Sequence, residues 1–228
     1  MTVAPSTDWA VDLLSPDRLR KYLRAAGGDT ERMFALYEWN LDLAHALLRE
    51  LCHVEVALRN AVDGALAKHP TTLAQQAEWY LPSTTQMLFA PHVVTTSGKR
   101  RDKNSTPRRN VEDAVRRAGP GAPRGKVIAE FTFGFWTYLT DDLHEKTLWV
   151  PSLHQAFVPG TQRKALHATL SSVRETRNRI AHHESVFDHD PIGAHRRTLS
   201  VAQRIDPRLG AYLRATSNVE SIWRRRPH

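Results

Sequence analysis

The segment RETRNRIAHHESVF, Arg174 to Phe187, gathers arginines, an asparagine and two adjacent histidines, with an acid directly after them. Histidine is the side chain whose free pKa lets it take and return a proton near neutrality. An arginine within reach can hold a phosphodiester and neutralise the charge that develops as the linkage breaks. In RNA the nucleophile is already part of the substrate, as the 2′-hydroxyl. Arginine plus histidine, with an asparagine to orient them, would therefore suffice for cleavage without a metal. Such a reaction leaves a 2′,3′-cyclic phosphate and a 5′-hydroxyl.

Spacing places these groups on a helix. Residues four apart lie one above the other, so Arg174, Asn178 and His182 form a polar stripe with Arg177 on its flank. A purely structural account competes with the chemical one. His182 and His183 fall in the last turn, where the exposed carbonyls favour a cation by ~0.5–1 kcal/mol. Glu175 and Arg179, at i and i+4, read as an ion pair. An R-x4-H spacing alone does not choose between the two.

The elements that must position this segment read as helices. In SPDRLRKYLRAAGG, Ser15 is the expected cap, Pro16 the first helical residue and Gly27–Gly28 the stop. From Asp29 or Thr30 to Pro70 apolar residues recur with a helical rhythm, predicting one long helix or two joined by a kink. Thr71–Ala90 carries a weaker pattern with a stop at Pro82, and 93–110 is polar, basic and reads as a surface loop. A helix is expected from Pro107 to Gly119–Pro120. The aromatic GKVIAEFTFGFWTYL predicts helix, with a strand over Val127–Phe133 as the alternative. TQRKALHATLSSVRETRNRIAHHE is a helix whose inner stripe is Leu166, Leu170, Val173 and Ile180, and one or two more follow, broken at Pro207. No repeat and no composition shift divides the chain, so a single all-α domain over 1–228 is expected, ending in a basic tail at 224–228.

Bulk properties agree. The chain has 228 residues, 41% of them apolar, and six tryptophans, enough for a real core. A lone cysteine, Cys52, allows neither an internal disulfide nor a cysteine-based zinc site. No stretch approaches the ~18 apolar residues of a membrane span, and the N-terminus does not resemble a signal peptide, so a cytoplasmic protein is expected. The net charge of +8 attracts polyanions. Its densest source is Lys99, Arg100, Arg101, Lys103, Arg108 and Arg109, expected to bind RNA with little sequence discrimination.

RNRIAHHESVF resembles the Arg-x4–6-His signature of the HEPN superfamily and, within it, the Abi-like (abortive infection) family. The blocks ALYEWNLDLAHALLRELCHVEVALRNAVDGAL, WYLP, GKVIAEFTFGFWTYL, LW and LRATSNVESIW extend the resemblance over roughly residues 15–223. It implies a HEPN-like helical bundle with additional helices, in which two subunits pair and bring both motifs into one basic cleft. Carried over, Arg177 is the motif arginine, Asn178 its polar neighbour and His182 the motif histidine. His183 and Glu184 follow the motif, and Glu55 and Arg59 in HVEVALRN lie in the first block, where a plain Glu55–Arg59 salt bridge competes with a role beside the cleft. The family is associated with RNA cleavage as a toxin and with antiviral defence by halting translation. The resemblance thus implies an endoribonuclease that needs no cofactor or metal, acts on RNA as a homodimer and leaves open an antitoxin or regulatory partner. Two rivals stand beside it. One is a non-catalytic module that binds RNA or a partner, with Phe131–Tyr138 as a stacking platform. The other is a metal site built from His182, His183, Glu184, His189 and Asp190, against which Pro191 places the last pair in a loop.

Overall fold

The computed structural model describes residues 8–96 and 99–227. Asp8–Leu14 (α1) and Pro16–Ala25 (α2) lead into Thr30–Ala67 (α3), a single unbroken helix of 38 residues. Proline at the first position and left-handed glycines beyond the end delimit α2 as expected. Ser15 does not cap it: its φ is 69° and its side chain makes no capping bond. Asp29 does cap α3, accepting from the Arg32 N–H at 3.0 Å. Leu43, Leu47, Leu51, Val54, Leu58 and Val62 are buried along α3, making it the axis around which the rest packs.

Pro70–Gln75 (α4) and Pro82–Leu88 (α5) follow. Pro82, expected to stop a helix, instead starts one, because its fixed φ suits the first turn and its missing N–H is not needed there. The described residues of 93–110 do not form a loop. Val93–Thr96 (β1) and Lys99–Asp102 (β2) pair antiparallel with Val93 opposite Asp102, and Ser105–Ala118 (α6) begins just beyond them. β-Branched residues favour the first strand. Side chains close the ribbon's base: Asp102 accepts from the N–H groups of His92 (2.8 Å) and Asn104 (3.0 Å), and the Asn104 amide donates to the Ala90 carbonyl at 2.7 Å. The glycine of the expected loop, Gly98, lies outside the described residues, as does His228 of the basic tail.

Arg124–Ala129 (α7) and Phe133–Tyr138 (α8) carry the aromatic run as two short helices, with no strand over Val127–Phe133. Phe131, Phe135 and Trp136 are buried, with Phe131 stacked on Phe135 at 4.3 Å, so this run is core and offers no platform for bases. Short 3-10 and π-helical turns over 142–156 lead to Arg163–Ala181 (α9), then Pro191–Ile205 (α10), Pro207–Thr216 (α11) and Val219–Arg224 (α12). The last three fold back along α3: Trp39 donates to the Ile222 carbonyl at 2.8 Å and Arg49 to that of Thr216 at 3.0 Å. A buried Glu50–His195 pair at 3.0 Å joins α3 to α10. In the basic tail, the Arg226 guanidinium lies over the rings of Trp39 and Phe187 at 5.7 and 5.6 Å. The described residues thus form a mainly α helical bundle with one small ribbon. No helix among them is long and apolar enough to cross a membrane.

Candidate active site

The end of α9 breaks its own pattern. Leu166, Leu170, Val173 and Ile180 are buried with the four–three spacing of a packed stripe, and the position between the last two belongs to Arg177. Arg177 is therefore an inward-stripe residue rather than a flanking one. Its side chain is 37% exposed and faces Glu55 of α3, with Nε 3.6 Å from the carboxylate. That separation is a charge contact and too long for a hydrogen bond. The contact aims the guanidinium without saturating it.

Around Arg177 the motif residues divide. Asn178 and His182 are exposed, and neither side chain has a hydrogen-bond partner among the described residues. The His182 N–H donates to the Asn178 carbonyl at 3.0 Å, which makes His182 the C-cap of α9. Arg174 is half-buried and reaches α8, where a Cβ built on Gly134 would meet its Cδ at 3.7 Å.

His183 has a backbone role. Its φ is 55°, its N–H donates to the Ile180 carbonyl and the Glu184 N–H to that of Arg179, both at 2.9 Å. This paired closure normally places glycine in the left-handed position. The His183 carbonyl accepts from the Arg18 guanidinium of α2. Glu184 pairs with Arg179 at 2.6 Å, so the expected Glu175–Arg179 pair gives way to a bridge across the helix end. Residues two apart on a helix point to different faces, which separates Arg179 and its partner from Arg177. The expected Glu55–Arg59 salt bridge is likewise not among the ion pairs of the described residues; Glu55 turns to Arg177, and Arg59 remains half-buried on α3.

The chain beyond His182 is held from two other helices. The buried Asn40 of α3 accepts from the N–H groups of Val186 (2.8 Å) and Phe187 (3.2 Å), and Lys21 of α2 donates to the Ser185 hydroxyl at 2.7 Å. The Ser185 hydroxyl donates to Asp188 at 2.6 Å. Burial opposes ionisation of Asp188, but this hydrogen bond and the Lys21 charge hold its carboxyl below the ordinary range. Arg18, Lys21 and Asn40 escaped the sequence reading. A lone asparagine among Leu36, Trp39 and Leu43 was a signal for the last; the two cations gave none, lying more than 160 positions from their partners.

The basic residues at 99–109 also divide. Lys99, Arg100, Arg101, Lys103 and Arg109 are exposed. Strand alternation sends Lys99 and Arg101 to one face of the ribbon and Arg100 to the other. Arg108 is structural: its guanidinium donates to the Phe89 carbonyl at 2.6 Å and to the Asp102 carboxylate, and its side chain is only 15% exposed. The ribbon joins the same short helix as Arg174, since the Tyr138 hydroxyl of α8 donates to the Lys103 carbonyl at 3.0 Å.

Asp190, one of the suggested metal ligands, is occupied otherwise: it caps α10 through the Gly193 N–H at 3.0 Å and pairs with Arg197 at 3.1 Å. Among the described residues no group of three or more His, Cys, Asp or Glu side chains is placed to hold a metal ion. Two cavities border this end of α9. One, of about 250 Å3 between α9 and α10, is lined by Glu175, Arg179, His189 and Arg197 among others. The other, of about 410 Å3, lies against α2. Arg177, Asn178 and His182 line neither; the motif faces open surface in the single chain.

Comparison with known proteins adds one finding. The family model described as Abi-like protein matches residues 9–188, from α1 through the segment beyond His182. The match spans most of the chain, so the protein belongs to the Abi-like family; α10, α11 and α12 follow the matched region, and with them the terminal LRATSNVESIW block. No curated protein and no solved structure matches the chain.

Proposed function

We propose that this Abi-like protein is a metal-independent endoribonuclease of the HEPN type that acts in abortive-infection defence. His182 serves as general acid or base toward the 2′-hydroxyl or the leaving oxygen. Arg177 contacts the scissile phosphate and the charge that grows on it, and Asn178 orients the pair. Glu55 aims Arg177, and the exposed cations of the ribbon add nonspecific affinity for the RNA backbone.

One observation carries this reading. An arginine occupies an apolar register of α9, half-exposed and loosely held, in the same last turns of the helix as an asparagine and a histidine whose side chains have no partner among the described residues. Local rules broken in this way mark functional sites more often than structural ones. The open position of the motif favours a homodimer in which a second copy walls the site and brings its own Arg177 and His182.

The test uses the full chain and single-stranded RNA. Cleavage should persist in EDTA and yield 2′,3′-cyclic phosphate and 5′-hydroxyl ends, and sedimentation should show a dimer. His182→Ala should lower cleavage by orders of magnitude while RNA binding survives. Equal rates in both proteins would remove His182 from the mechanism, and binding without cleavage by the parent would leave a binding module.

A further inference from the structure

We infer that the cleft between α2 and the segment following His182 seats an RNA phosphate next to the one that is cut, held by Arg18 and Lys21. The inference rests on the ribonuclease reading for its substrate and extends the strand's path from α9 onto α2. The cleft, about 410 Å3 in volume, is walled by Arg18, Lys21 and Tyr22 on one side and by His183, Glu184 and Ser185 on the other.

Its charge balance favours an anion. The two acids at its edge are neutralised by other arginines: Asp17 pairs with Arg20, and Glu184 with Arg179 at 2.6 Å. Arg18 has no carboxylate within ion-pair distance among the described residues. One of its guanidinium donors is engaged by the His183 carbonyl, and a guanidinium has five. Lys21, three residues on and hence on the same face of α2, donates to the Ser185 hydroxyl at 2.7 Å and meets Asp188 at 3.4 Å, which leaves one of its three donors open. Two exposed cations with unused donors, converging on one concave surface, match the demands of a phosphate; the buried Ser185 hydroxyl, committed to Lys21 and Asp188, only fixes Lys21 in place.

Position supplies the rest of the argument. The carbonyl that Arg18 grips belongs to the residue directly after His182, so the cleft borders the same helix end that carries the proposed acid–base group.

The test measures binding apart from cleavage. In a His182→Ala background, the affinity of a fluorescently labelled single-stranded RNA oligonucleotide is followed against salt concentration for Arg18→Gln, Lys21→Gln and the double variant. Glutamine keeps an N–H donor and removes the charge. Each single variant should flatten the slope of log affinity against log salt by about 0.7, and the double variant by about twice that. Arg208→Gln, on the exposed arginine paired with Asp206 at 2.6 Å on α11, should leave the slope unchanged. With His182 intact, Lys21→Gln should raise KM and preserve kcat.

Slopes unchanged in both single variants would overturn the inference even if the parent cuts RNA. A fall in kcat for Arg18→Gln with the slope intact would also overturn it, reducing Arg18 to a clamp on His183. Flattened slopes in a chain whose parent cuts no RNA would sustain the cleft and end the ribonuclease reading. Absence of RNA binding by every variant would end both. Lys21→Gln decides the matter alone should Arg18→Gln fail to fold.

Discussion

The base of the ribbon and the end of α9 are both rich in arginine, asparagine, histidine and acid, yet they are built to opposite rules. At the ribbon's base Asp102, Asn104, Arg108 and the nearby His144 all have side-chain partners. Arg108 is shared between the Phe89 carbonyl and Asp102, and Asn104 between the Ala90 carbonyl and the His144 ring. His144, fully buried, also meets Asp141 at 2.8 Å. At the end of α9 the backbone is closed just as tightly, through His183, Arg18 and Asn40, while the side chains of Asn178 and His182 point into solvent without partners among the described residues. Composition does not distinguish the two regions; saturation does. A satisfied polar network rigidifies a fold, whereas a rigid backbone presenting unsatisfied side chains is what a reaction requires.

The sharpest way to break this contrast is to delete one group from each region. His182→Ala should lower RNA cleavage on the order of 10²–10⁴-fold, the usual yield of general acid–base catalysis, with melting temperature unchanged. Should the melt fall and cleavage hold, the two regions would be of one kind. Arg108→Ala should do the reverse, costing about 1–3 kcal/mol of stability because it strands buried acceptors, and leaving kcat intact. Denaturant unfolding of the two variants side by side checks both expectations.

A smaller effect is expected from Glu55→Gln. The pair it breaks is long and partly exposed, so the loss should be at most about 1 kcal/mol, roughly fivefold in kcat, with little change in stability. A larger fall would mean that Glu55 does more than aim Arg177.

His183→Gly removes the imidazole and suits the left-handed backbone. Stability should stay level or rise by up to about 1 kcal/mol, and cleavage should continue. Lost cleavage in a stabilised chain would bring the His183 ring into the mechanism.

The smallest effect concerns acid pH. The hydrogen bond from Arg108, helped by the N–H groups of His92 and Asn104, holds the Asp102 carboxyl below its ordinary value despite some burial. A depressed folded-state pKa contributes stability above the unfolded value, near pH 4, and loses it as pH falls through the folded one. Asp102→Asn should therefore be less stable than the parent at neutral pH and approach it below about pH 4. Parallel curves across that range would remove Asp102 from the network.

Much of this was legible in the residues. Proline and glycine marked the limits of α2, and the Leu166–Ile180 stripe fixed α9. Arg177, Asn178 and His182 stood out by type before any coordinates. The ribbon was missed because a two-stranded element is short and its pairing is set by side chains at its base. Pro82 misled because the residue that ends one helix also starts the next. The partners of Glu55 and Arg179 were misassigned because i, i+4 spacing on one helix competes with contacts that spacing cannot see.

By itself the sequence determined the helical class, the surplus of positive charge and which side chains are able to exchange protons and grip phosphate, since these follow from composition and local periodicity. Tertiary structure alone decided that Arg177 faces Glu55, that Arg108 is locked into the fold, and that α2 reaches across to the residue after His182. The first and last depend on helices that pack together from more than a hundred residues apart, and the second on the closing of a ribbon's base; neither kind of pairing leaves a periodic trace in the chain.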